Sequence, residues 1–185
     1  ITVTAGSLTG TTTFTPTDDS IYDATSNETA TVSIDSVSGG DALENGTQSV
    51  TITITDNESA PTVTLSRSAA AIDENSSSTV TITATLSNAT YQDVTVSIGA
   101  SGGTEGTDYA TISDITISAG STTGTTSLDP TDDSVYEDDE VVTVTIDGVS
   151  GGSASESGSQ SVTITITENE SAPTVTLSVS ATSIA

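Results

Sequence analysis

Apolar and polar residues alternate with a period of two in a series of short runs. Val63 and Leu65 alternate with Thr, as do Val80, Ile82 and Ala84, then Val94, Val96 and Ile98. Ile115 and Ile117 follow, then Val142, Val144 and Ile146, and finally Val162, Ile164 and Ile166. Successive side chains of an extended backbone face opposite ways, so each run predicts a strand with one apolar face and one row of Thr. β-Branched residues on both faces suit that backbone. Segments rich in Gly and Ser punctuate the runs, at Ser101–Gly106, Ser118–Gly124 and Ser150–Ser159. No stretch carries helical spacing. About seven short strands in roughly 110 residues predict an all-β chain folded as a Greek-key β-sandwich.

The runs themselves recur. PTVTL at Pro61–Leu65 returns at Pro173–Leu177, and SVTITIT at Ser49 returns at Ser161, both at an offset of 112 residues. With a two-residue slip, PTDDS at Pro16 returns at Pro130. A fixed period of this size marks an array of domains. The register divides the chain into residues 1–60, the C-terminal part of one repeat, residues 61–172, a complete repeat, and residues 173–185, the first strand of the next. It predicts a piece of a longer array, opening inside one copy and closing inside another.

Charge changes the picture. Against 26 acidic residues stands one basic residue, Arg67, for a net charge of −25. Such a surface repels nucleic acid and anionic membranes, and neither is an expected partner; no membrane insertion is expected in this segment. Cys is absent, so no disulfide staples the fold. With no His, no Cys and one cation, the chain lacks an ordinary nucleophile–base pair, and no enzymatic activity is expected. The Thr rows admit a flat ice- or carbohydrate-binding face, but Thr is also the ordinary polar residue on the wet face of an antiparallel sheet, and twist opposes a lattice match. Asn27, Asn45, Asn57, Asn75, Asn88 and Asn169 head glycosylation sequons, several of which chance alone supplies in so polar a chain.

The carboxylates cluster. Asp132, Asp133, Glu137, Asp138, Asp139 and Glu140 lie in TDDSVYEDDE; Glu168 and Glu170 lie in ENESAP; Asp73 and Glu74 sit early in the complete copy; Asp108 stands in GTDYA. Carboxylates at this density repel. Ca²⁺, which takes six to eight oxygen ligands, is one fitting counter-ion. A solvated acidic loop surface adapted to salt is the other reading, and spacing alone does not separate the two. Zn²⁺ is disfavoured without Cys or His.

In these residues the chain resembles the Calx-β domain family. The motifs are DEN at Asp73–Asn75, GTDYA at Gly106–Ala110, the SAG turn at Ser118–Gly120, DDSVYEDDEVVTVTI at Asp132–Ile146 and the acidic terminus at Ile164–Glu170. Their order and spacing run through Pro61–Ala172. The resemblance implies tandem immunoglobulin-like sandwiches that hold Ca²⁺ in loops at one end. Carried over by position, the ligands are Glu74, Asp108, Asp133, Glu137, Glu140, Glu168 and Glu170, with Asp132 as a neighbour. The terminal run reads ENE where consecutive aspartates are usual in the family. In the first copy, DDSIYDATSNE gives Asp19, Asp23 and Glu28, with Asp23 in place of Glu137 and two extra residues before Glu28, and the terminal run gives Asp56 and Glu58. Tyr109 and Tyr136 adjoin these positions and are expected to pack beneath the acidic end.

Together these features predict a structural repeat of a secreted or cell-surface bacterial protein, such as an adhesin stalk, extracellular fibre or matrix component, stiffened by Ca²⁺ between copies. Expected partners are neighbouring repeats of the same chain and, in a fibre, identical chains. The alternatives are a calcium-sensing regulatory domain and a laterally associating, metal-free fibre or sheath subunit.

Overall fold

The computed structural model describes residues 1–23, 28–180 and 183; Asn27 and the extra residues before Glu28 fall outside them. Among the described residues there is no helix, so none long and apolar enough to cross a membrane. The strands are β1 (Ile21–Tyr22), β2 (Glu28–Ser33), β3 (Ser49–Ile54), β4 (Thr62–Arg67), β5 (Ala71–Asp73), β6 (Val80–Leu86), β7 (Ala89–Thr90), β8 (Val94–Ser101), β9 (Ile115–Ile117), β10 (Thr123–Leu128), β11 (Glu140–Ser150), β12 (Ser155–Glu156) and β13 (Ser161–Thr167).

Residues 62–167 form a two-sheet sandwich. One sheet has the order β10-β6-β4-β12 and the other β5-β13-β11-β8-β9. The chain changes sheet after β4, β5, β6, β9, β10, β11 and β12, which gives the Greek-key, immunoglobulin-like winding. Every run of alternating residues read from the sequence becomes a strand, and its apolar positions turn inward. Val80, Ile82 and Ala84 of β6 face Val142 and Val144 of β11 and Ile164 and Ile166 of β13 in one core, all fully or almost fully buried. Fully burying such a side chain contributes about 1.5–3 kcal/mol. Outward Thr residues pair across strands: Thr64 lies opposite Thr85, and its hydroxyl donates to the Thr85 carbonyl at 3.4 Å.

The first strand is split between the sheets. β4 runs antiparallel to β6, and after Ser68–Ala70 the chain crosses to lay β5 parallel to β13, pairing Ala71 with Thr165, Ile72 with Ile166 and Asp73 with Thr167. That crossing decides where Glu74 ends up.

Gly102 shows how the loop after β8 is held. Its φ of +83° is left-handed, and a Cβ there would lie 2.1 Å from the carbonyl oxygen of Val141 on β11. Gly106 has a similar φ of +84° but faces open space. Gly102→Ala is therefore expected to destabilise by about 3 kcal/mol or more, combining backbone strain with a clash that only a strand shift relieves. Gly106→Ala should cost about 1 kcal/mol. Urea midpoints of the two variants, at unchanged slope, check the ranking.

Residues 1–60 contribute β1 and a ribbon of β2 and β3. Its register, Glu28 opposite Ile54 through Ser33 opposite Ser49, reappears 112 residues later as Glu140 opposite Ile166 through Thr145 opposite Ser161. Val32 and Val50 stay exposed, because no second sheet covers the ribbon among the described residues. The segment from Pro173 to Val179 is likewise unpaired, with Val175 and Leu177 nearly fully exposed. Its counterpart Pro61–Leu65 owes its strand to β6 and β12, both of which come later in the chain.

Candidate metal centre

Three elements bring carboxylates to one end of the sandwich. The sheet-switching β5 delivers Glu74, whose N–H donates to the Thr167 carbonyl at 3.0 Å. The last strand, β13, runs directly into Glu168 and Glu170. Carboxylate oxygens of Glu74, Glu168 and Glu170 lie within 4.8 Å of one another, the one such group of three among the described residues. Glu74 is buried. Oε2 of Glu170 is shut off from solvent and has no hydrogen-bond partner. A buried, unpartnered carboxylate oxygen is costly unless something positive meets it. Arg67, the one basic side chain, donates instead to the Ala69 carbonyl at 3.2 Å.

The loop before β11 wraps this triad with backbone donors. Asp133 N–H donates to Glu74 Oε1 at 3.3 Å, and Glu137 N–H donates to Glu168 Oε2. Glu168 Oε1 accepts from the N–H groups of Asn169 and Glu170, both at 2.7 Å. Asp132 accepts from Asn169 Nδ2 at 3.2 Å, which ties the loop to the terminal run. These donors hold the Glu168 carboxyl down to about 2, the N–H of Glu170 first among them. Glu170 is pushed up to about 7, chiefly by hydrogen bonding to the Glu168 carboxylate, then by burial and by repulsion from Glu168, Glu74 and Asp132. Burial leads in raising Glu74, Glu137 and Glu140, with neighbouring carboxylates adding to it.

The remaining sequence-derived positions gather less tightly. Asp108 is buried, accepts from Thr104 N–H at 2.5 Å and adds repulsion to Glu137 and Glu140, but none of these three joins the tight triad. Two participants escaped the sequence reading. Asp139 accepts from Glu168 N–H at 3.0 Å, and Asp73 accepts from the Thr167 hydroxyl at 2.8 Å. Either was available as a member of the acidic runs; only the fold shows which carboxylate reaches back to the terminal segment. Tyr109 is buried as expected. Tyr136, expected to pack as well, is 41% exposed, because its loop turns it away from the core.

In the first copy Asp19, Asp23, Glu28, Asp56 and Glu58 line a cleft of about 240 Å³ without forming a tight group of three. The framework repeats nonetheless. Asp23 N–H donates to Asp56 Oδ2 at 3.1 Å and Asn57 Nδ2 to Asp18 Oδ1 at 3.1 Å, the counterparts of Glu137 on Glu168 and Asn169 on Asp132.

Fold and site together define an immunoglobulin-like β-sandwich with an acidic loop end. The chain belongs to the LapA domain family, whose model matches residues 59–169, the span of the two-sheet sandwich. The family model matched is that of the LapA domain, and the Calx-β motifs stand as a resemblance. Among solved structures, one described as the apo-form Calx CBD1 domain is similar, with 16% identity and a TM-score of 0.47, covering 59% of this chain and 99% of that one. No curated protein matches the chain in sequence.

Proposed function

We propose that the chain is a structural spacer repeat of a bacterial protein displayed at or beyond the cell surface, with its joints set by Ca²⁺ at the acidic end of each copy. One observation carries the metal reading: the enclosed, unpartnered Oε2 of Glu170 inside a triad that has no cationic side chain to answer it. A hard divalent cation with oxygen ligands suits this donor set. Glu74, Glu168 and Glu170 would hold it, with Asp132, Asp133 and Glu137 adjoining, and the ion would supply charge neutralisation rather than chemistry. Membership of the LapA domain family, which is adhesion-related, supports the surface role.

The placement explains what the ion would do. Glu74 follows the first strand of the copy and Glu170 follows its last, and only Ser171 and Ala172 separate Glu170 from Pro173. Drawing those carboxylates together fixes the end of one copy where the next begins, and Pro173 restricts the junction further by fixing φ. Nothing in the reading calls for catalysis.

The test is calorimetric titration of Ca²⁺ at several pH values. In the metal-free fold Glu170, raised to about 7 from 4.5, retains a proton that the unfolded chain has lost, so its stabilising contribution falls as pH rises through that window. Glu168, lowered to about 2, contributes stability that is lost as pH falls below about 4.5. Cation binding near pH 6 should therefore release about one proton, and near pH 8 almost none. Glu170→Gln should abolish the release. Absence of binding heat in the parent chain would return the triad to a solvated acidic surface.

A further inference from the structure

β1 belongs to the first copy, yet it pairs with the second. Ile21 and Tyr22 lie in parallel register with Ala89 and Thr90 of β7, and Tyr91 N–H donates to the Tyr22 carbonyl at 3.4 Å. The Tyr91 hydroxyl donates to Asp19 Oδ2 at 2.8 Å, placing a residue of the second copy in the wall of the first copy's acidic cleft. Asp19 Oδ1 meanwhile accepts from Ile21 N–H at 2.8 Å, so one aspartate shapes the turn and receives the neighbour.

The segment Asp18–Tyr22 reads DDSIY, and its counterpart Asp132–Tyr136 reads DDSVY. The counterpart has the same internal bonding. Val135 N–H donates to Asp133 Oδ1 at 2.6 Å as Ile21 does to Asp19, and Asn169 holds Asp132 as Asn57 holds Asp18. The difference is the partner. Val135 is 60% exposed and Tyr136 41%, and neither pairs with any strand among the described residues.

We infer that Val135–Tyr136 is the docking edge for a second copy of this repeat, taking that copy's Ala89–Thr90 strand in parallel with its Tyr91 hydroxyl on Asp133. The surface that gives and the surface that receives are different, so the contact is head-to-tail and leaves each copy able to engage a further one. A short exposed backbone edge pre-shaped by its own aspartate suits strand addition. This goes beyond the calcium reading and does not depend on it.

The chain has no Cys, so engineered pairs report cleanly. In the full chain with chelator present, Ile21→Cys with Ala89→Cys should form an intramolecular disulfide under mild oxidation. The decisive arm mixes two full-length chains. One carries Val135→Cys. The other carries Ala89→Cys with its edge vacated by Ile21→Asp and Tyr22→Pro, its fold checked by far-UV circular dichroism. The mixed disulfide should exceed, several-fold, that of a Val141→Cys control, Val141 being comparably exposed at 52% on a neighbouring strand. It should fall when the Ala89→Cys chain keeps its own Ile21 and Tyr22, since the tethered segment competes at high effective concentration. A yield no greater than the control's, or unaffected by vacating the edge, would overturn the inference.

Discussion

Adding Ca²⁺ to the chelated chain at about a thousand times its dissociation constant is expected to raise the melting temperature by about 15 °C. Ligand binding to the native state alone contributes about 4 kcal/mol at that ratio, and a domain of this size shifts by about 4 °C per kcal/mol. Relief of the repulsion that the metal-free fold carries among Glu74, Glu168 and Glu170 is part of the binding free energy that sets this dissociation constant. Glu170→Gln tests that part: the uncharged variant is expected to be at least as stable as the parent in chelator at pH 8, and to gain only a few degrees from Ca²⁺. Differential scanning calorimetry of both chains, with and without the ion, checks the pattern. A parent melting temperature indifferent to Ca²⁺ and chelator would sink the metal reading.

Ile82→Ala is expected to cost about 4 kcal/mol, or about 15 °C in melting temperature. Ile82 is fully buried on β6, paired with Arg67 of β4 on one side and Thr126 of β10 on the other. Ladders on both flanks pin its backbone, and its core neighbours are mostly β-branched residues with few alternative rotamers, so the void left behind cannot collapse. Val141→Ala, on the exposed side of β11, should change stability by less than about 0.5 kcal/mol. Chemical denaturation of the two variants reads the contrast, and equal losses would mean that the inward face has been misassigned.

The contrast explains why so much of the sandwich could be read from sequence. Alternation with β-branched residues marks a half-buried strand wherever one face meets a core, and β6, β8, β11 and β13 carry that signal plainly. β10 did not. Its inward positions before Leu128 are Gly124 and Thr126, so Thr123–Leu128 shows no apolar alternation. Gly124 is tied to close approach there: a Cβ would lie 2.5 Å from the Thr116 carbonyl oxygen. β5 and β7 were too short to show any period, and they are the elements that aim Glu74 and receive the neighbouring copy. The acidic site was legible as a set of residue types but not as a geometry. Glu74 lies far in sequence from Glu168 and Glu170 and converges on them because the first strand changes sheets, an event that neither spacing nor composition records. Asp138 and Asp139 are adjacent identical residues, and only the fold decides that Asp139 reaches Glu168.

The split first strand also has a mechanical consequence. β5 and β13 lie parallel, with the chain entering through β4 and β5, the two halves of the split strand, and leaving through β13. Tension between the two ends of a copy drags these strands in opposite directions along their length. It therefore loads the ladder from Ala71–Thr165 to Asp73–Thr167 in shear, all pairs at once, where an antiparallel hairpin pulled at its open end would peel pair by pair. Glu74 and Glu168 stand just beyond that ladder, so the carboxylates occupy the point through which a pulling force passes.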